Sequence, residues 1–147
     1  MGCISRILVE SSEEIDERWE TAFDGPADEF DVAGILSQYS LASLLGVVIS
    51  PKRLTDKQLV KRIEIISVYD PAFWLARVPG EIVDALAGMD TKKLYSLAES
   101  WKERDEDFSV AGENISAEHL EIILRAMRKA SKKAKRSGKD VFACTIP

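Results

Sequence analysis

Cysteine and histidine are nearly missing from this 147-residue chain, which holds two of the first and one of the second. Cys3 and Cys144 stand near opposite ends with no secretory leader ahead of them, so they form no disulfide framework and read as reduced thiols. A lone His119 excludes multi-histidine metal sites and leaves one imidazole base. There is no Cys-x-x-Cys pair, no glycine-rich phosphate loop and no Gly-x-Ser-x-Gly elbow, which removes the usual carriers of redox, nucleotide and serine-hydrolase chemistry. No apolar run approaches the roughly 18 residues of a membrane span. Gly2 meets one requirement of N-myristoylation, but Arg6 occupies the position where that pattern needs Ser or Thr. These absences predict a cytoplasmic protein with no membrane contact, no metal and no cofactor.

What the chain does have is charge, sorted by sign. Glu10, Glu13, Glu14, Asp16, Glu17 and Glu20 open an acidic front that runs to Asp31, whereas Arg125, Arg128, Lys129, Lys132, Lys133, Lys135 and Arg136 crowd the back. Such segregation either neutralises itself in the fold or holds one end out for a partner of opposite sign. The formal net charge of −5 lowers the expectation of general nucleic-acid binding. With 46% hydrophobic and 31% charged residues, the composition is that of a folded globule. The length fits one domain, 1–147, that buries roughly 70% of the surface its unfolded chain exposes.

Local patterns predict the elements. Ile4 to Val9 is short and rich in branched residues, a strand signature. Ser11 and Glu14 offer a capping box for a helix whose apolar stripe is Ile15, Trp19, Ala22 and Phe23, ended by Gly25-Pro26. Asp31 is the expected cap of a central helix whose Val32, Ile35, Leu36, Tyr39, Leu41, Leu44 and Leu45 leave few solvent positions, with Gly46 as its left-handed stop. Thr55 and Gln58 form a second capping box, with Leu54 and Leu59 as a hydrophobic staple. Ile63 to Tyr69 fits either a continued helix or a strand. Asp70-Pro71 reads as a turn, Phe73 to Val78 as a strand, and Pro79 as the opening of a helix that Gly88 closes. A further helix carries Leu94, Leu97, Ala98 and Trp101 into a surface loop of Asp105, Glu106 and Asp107. Ser116 caps the last helix, Ile115 and Leu120 staple it, Gly138 stops it, and Val141 to Ile146 is a terminal strand. The expected fold is α+β and predominantly helical: about five helices on a small sheet that includes both terminal strands.

The candidate binding surface is Arg125, Arg128, Lys129, Lys132, Lys133 and Arg136, grouped so that they could track phosphates or an acidic partner. The helix offers no aromatic for base stacking, and cations near a helix C-terminus are favoured by the macrodipole without any ligand. Asp105-x-Asp107-x-Ser109 matches the start of a calcium loop. It then fails, because Val110 replaces the required Gly and Ser116 the bidentate Glu. A Cys144–His119 nucleophilic pair has no orienting or oxyanion signature beside it, so no catalytic residue is assigned. Trp19, Trp74 and Trp101 fall on apolar faces and read as core anchors.

The stretch from Arg77 to Ala87, with Trp101 and Gly138-Lys139-Asp140-Val141-Phe142, resembles a pattern in small bacterial proteins of unknown function. That resemblance implies a bacterial cytosolic origin and brings no activity or ligand with it. The function expected from the residues is that of a non-enzymatic protein-interaction or immunity-type regulatory protein, whose partner is a protein of complementary charge. A nucleic-acid adaptor working through the basic helix and an unrecognised enzyme are the alternatives, with nucleic acid not favoured.

Overall fold

A computed structural model describes residues 4–11, 13, 15, 30–33, 37–49, 54–70, 73–105 and 115–146, with the backbone alone at 4–5, 30–33, 67–70, 73–74 and 145–146. The two ends of the chain meet at the middle of one sheet. Strand β1 (Ile4–Glu10) pairs antiparallel along its whole length with the last strand, β5 (Asp140–Ile146), from Ile4 opposite Ile146 to Glu10 opposite Asp140. On the far side of β1 lies β2 (Phe30–Ala33), and on the far side of β5 lie β4 (Phe73–Arg77) and then β3 (Ile65–Asp70). The order is β2-β1-β5-β4-β3, antiparallel throughout. A seven-residue strand has little stability alone, so joining the two ends in adjacent strands secures both.

Side chains alternate across the sheet and sort the core into two unequal parts. Ile7, Val9, Ala76, Val141 and Ala143 face the larger one, which the helices cover. Leu8, Leu75, Phe142 and Cys144 face the other, where Ile15 closes over them and the guanidinium of Arg77 lies 5.1 Å from the centre of the Phe142 ring. The helices described from end to end are α1 (Gln38–Val48), α2 (Asp56–Lys61), α3 (Gly80–Ala87), α4 (Thr91–Arg104) and α5 (Ala117–Ser137). The longest, α5, packs on α3, α4 and the sheet. Its Leu120, Ile123, Leu124, Met127, Ala130 and Ala134 are fully buried.

The predominantly helical α+β architecture, with both terminal strands in one sheet, is as the sequence predicts. The boxes and stops at Thr55–Gln58, Ser116 and Gly138 form as expected: Thr55 N–H donates to Gln58 Oε1 at 2.9 Å, Ser116 Oγ accepts from His119 N–H, and Gly138 is left-handed at φ 67°. Ile65 to Asp70 resolves its ambiguity as a strand, since β4 supplies the ladder it needs. Three expectations about the central helix fail. Tyr39, expected among its apolar positions, is 59% exposed. Asp31 and Val32 lie in β2 rather than at a helix start, paired with Arg6 and Ser5 of β1. The helix begins instead after Ser37, whose hydroxyl accepts from Ser40 N–H while Ser40 Oγ accepts from Ser37 N–H. Nor does Gly46 stop α1. It lies inside the helix, which runs on to Val48 and is capped by Ile49. The expected first helix ending at Gly25-Pro26, with Trp19, and the turn at Pro71 lie outside the described residues or mostly so, as does the side chain of Trp74.

Candidate functional site

Helix α5 separates the six candidate cations by direction. At 3.6 residues per turn, Ile122, Arg125, Lys129, Lys132 and Arg136 fall on one line opposite the buried stripe. All five are exposed, Ile122 by 60%. From Ile122 to Arg136 the line is about 21 Å long at 1.5 Å per residue. Arg125 is neutralised at one end by Glu121, one turn back at 2.6 Å. Arg128 and Lys133 leave the line and are half-buried on its flanks. Arg128 donates to the Met89 carbonyl at 3.2 Å and so ties the α3–α4 turn to α5. Lys135, on the same flank as Arg128, pairs with Asp84 of α3 at 2.8 Å. Lys129, Lys132 and Arg136 make no ion pair or hydrogen bond among the described residues. Of the six, these three form the open cationic row.

The first turn of α5 is acidic. The Glu118 carboxyl is held below its ordinary range by its own backbone N–H and by the Tyr95 hydroxyl, which donates to it at 3.3 Å. The same carboxylate's charge and hydrogen bond push the Tyr95 phenol up. With Glu118 at the front and cations at the back, the helix complements its own dipole.

A second polar arrangement lies where sequence reasoning expected solvent. Asp105 follows the last residue of α4 and is only 6% exposed. Ser43 Oγ, on α1, lies 2.7 Å from Asp105 Oδ2 and donates to it. It also sits 2.9 Å from the Ser40 carbonyl and accepts from the indole Nε1–H of Trp101 at 3.1 Å. That indole also reaches the Ser40 carbonyl, at 3.0 Å. Trp101 is fully buried, as the apolar spacing of α4 predicts, but its nitrogen is the hinge of a polar network rather than a passive filler. Asp105 is therefore no part of a solvated loop. Its companions Asp107 and Ser109, the other residues of the calcium-like pattern, lie outside the described residues.

The network forms one wall of a cleft of about 240 Å³ lined by Tyr39, Ala42, Ser43, Asp56, Val60, Arg104 and Asp105. Arg104 crosses α1 at Gly46, where a Cβ would come within 2.5 Å of its Nε, and extends to Asp56 Oδ1 at 3.3 Å. Gly46 is small so that this guanidinium can lie against the helix. That role, and the burial of Asp105, leave no local signature, because the partners lie some 60 residues apart in sequence.

The Cys144–His119 pair does not form. Cys144 is buried with Leu8, Leu75 and Phe142 on one face of the sheet, whereas His119 belongs to the first turn of α5 on the other. Among the described residues, no group of three or more His, Cys, Asp or Glu could hold a metal ion, and no helix is long and apolar enough to cross a membrane.

No protein-family model and no curated protein matches the chain. Among solved structures it is similar to YfbM from Escherichia coli, a protein of unknown function, with a TM-score of 0.49 and 13% identity over 97% of this chain and 99% of that one.

Proposed function

We propose that this is a bacterial cytosolic protein-interaction protein of a single domain, non-enzymatic and regulatory, that docks an acidic protein segment along the outer line of α5. The observation that carries this reading is the row of Lys129, Lys132 and Arg136, exposed and without ion pairs among the described residues, in a chain whose net charge is −5. Neighbouring cations such as Lys135 and Arg125 are neutralised within the fold, whereas no carboxylate of the described residues pairs with the row. Exposed Ile122 continues the row with an apolar contact, which suits a protein partner whose interface has a small apolar centre and a charged rim. Nucleic acid fits less well: the net charge repels a polyanion at long range, and α5 presents no aromatic for stacking.

The reading is tested by placing a photo-cross-linking residue at position 122 (Ile122→p-benzoylphenylalanine) in cells. A discrete protein adduct is expected that disappears when Lys129, Lys132 and Arg136 are all changed to Gln. An adduct that persists in that triple variant, or no adduct at all, overturns the reading; a nuclease-sensitive adduct replaces it with the nucleic-acid alternative.

A further inference from the structure

We infer, resting on the α5 reading, that the acidic segment docked along α5 is itself an α-helix lying antiparallel to it. Its carboxylates occupy its first two turns, and an apolar side chain follows about two turns further on.

Three observations converge. The first is backbone accounting. The row lies on the outer side of a helix whose own N–H and C=O groups bond within it, so an extended segment laid there would cover its backbone donors and acceptors without finding backbone partners. A helical segment arrives with those groups already bonded. The second is spacing. Ile122, Arg125, Lys129, Lys132 and Arg136 are separated by three, four, three and four residues, the alternation that keeps one line facing a second helix along its length.

The third observation is polarity. The apolar end of the line is the N-terminal one: Ile122 is 60% exposed, and Tyr95, 37% exposed, is hydrogen-bonded to Glu118 one turn before it. Lys129, Lys132 and Arg136 hold the other end, toward the negative pole of the α5 dipole. An antiparallel partner brings the positive pole of its own dipole there, and that dipole favours carboxylates in the partner's first turns. A parallel partner would carry them at its C-terminus, where they are disfavoured. Two nearer occupants fit poorly. In a second copy, the two-fold axis that sets Glu118 opposite Arg136 also sets Arg125 opposite Lys129, cation against cation. The acidic front of this chain enters on the opposite face of the sheet, where Ile15 packs with Leu8, Leu75 and Phe142. The occupant is an acidic amphipathic helix of another protein.

The full chain, labelled with ¹⁵N, is titrated with two synthetic peptides. One is an alanine-rich helix former with glutamates spaced to face Arg136, Lys132 and Lys129 in that order, a leucine to face Ile122, and a nitroxide at its N-terminus. The other keeps the same charges, leucine and nitroxide but has prolines at two outward positions, so it cannot be helical. Saturable shifts of the Ile122, Lys129, Lys132 and Arg136 amides are expected. The helix former should bind about five- to tenfold more tightly than the proline peptide, because less ordering remains to be done. Its nitroxide should broaden resonances around Arg136 and not around Ile122. Equal affinity of the two peptides, or broadening centred on Ile122, overturns the inference and leaves the α5 reading standing. No saturable shift with either peptide, or binding undiminished when Lys129, Lys132 and Arg136 are all changed to Gln, overturns both.

Discussion

Along α5, Lys129, Lys132 and Arg136 stand in solvent with no partner among the described residues, whereas Asp105 at the end of α4 holds its carboxylate inside the protein against Ser43. Water stabilises the first set of charges at almost no cost to the fold. The second must be stabilised by neighbours that were themselves fixed in place: a serine inside α1 and an indole inside α4. Charge density marks the first region and burial marks the second, so the two differ in how strongly each is coupled to stability. A solvated row is free to be used by a partner. A buried network is felt throughout the core whenever one member changes.

Trp101→Ala tests that coupling at its strongest point. The indole is fully buried in the main core and donates to the Ser40 carbonyl and Ser43. Its removal is expected to cost about 3–5 kcal/mol in denaturant unfolding, from lost burial and the cavity left behind. A loss below about 1 kcal/mol would show that α1 and α4 collapse freely around the gap and that the network does not organise the core. Ser43→Ala should come next. It strips Asp105 of a hydroxyl donor at a cost of about 1–3 kcal/mol, which the better helix propensity of Ala reduces by about 0.5 kcal/mol. A neutral result would mean that the other interaction of Asp105 suffices to hold its charge.

The two regions also differ in how far they were legible from the sequence. The α5 row is a local pattern: the spacing of Leu120, Ile123, Met127, Ala130 and Ala134 defines the buried stripe, and the exposed line follows by geometry. Even so, sequence could not separate Lys129, Lys132 and Arg136 from Arg128, whose bond goes to a turn 39 residues away. Asp105 was hidden for the same reason in stronger form. Beside Glu106 and Asp107 it reads as loop, and the serine that donates to it lies 62 residues earlier in the chain. The misplacement of Asp31 is a third case of a local signal losing to a distant one. An acidic residue before an apolar run is a sound cap pattern, but Arg6 and Ser5 of β1 offer Asp31 and Val32 a ladder, and strand pairing wins. The true start of α1 escaped notice because Ser40 performs the task usually given to Glu or Gln in a capping box.

Gly46→Ala separates the cleft from the core. The new Cβ would meet the Arg104 guanidinium at 2.5–2.8 Å, and a long side chain can swing away from it. Ala in place of Gly inside α1 gains about 0.8–1 kcal/mol of helix propensity, while the exposed Arg104–Asp56 pair is worth at most about 1 kcal/mol. Global stability should therefore stay within about 1 kcal/mol of wild type while amide resonances around Arg104 and Asp56 move. A larger loss would place Arg104 among the residues that hold the fold together.

The smallest effect on stability is expected where the sequence is most highly charged. Changing Lys129, Lys132 and Arg136 together to Gln removes one cation in the last turn, Arg136, that the C-terminal end of the α5 dipole favours by about 0.3–1 kcal/mol at low salt. It also removes repulsion between Lys129 and Lys132 and between Lys132 and Arg136, at helical spacings of three and four, worth about 0.2–0.5 kcal/mol per pair. The two contributions oppose each other and both are screened by salt. Unfolding in urea at low and at moderate ionic strength should thus place the variant within about 0.5 kcal/mol of wild type, with the difference shrinking as salt is added. A deficit above about 1.5 kcal/mol that survives salt would show that the row is bound into the fold after all. The contrast with Asp105 would then disappear, since cations that hold α5 in place are not free to meet an acidic partner.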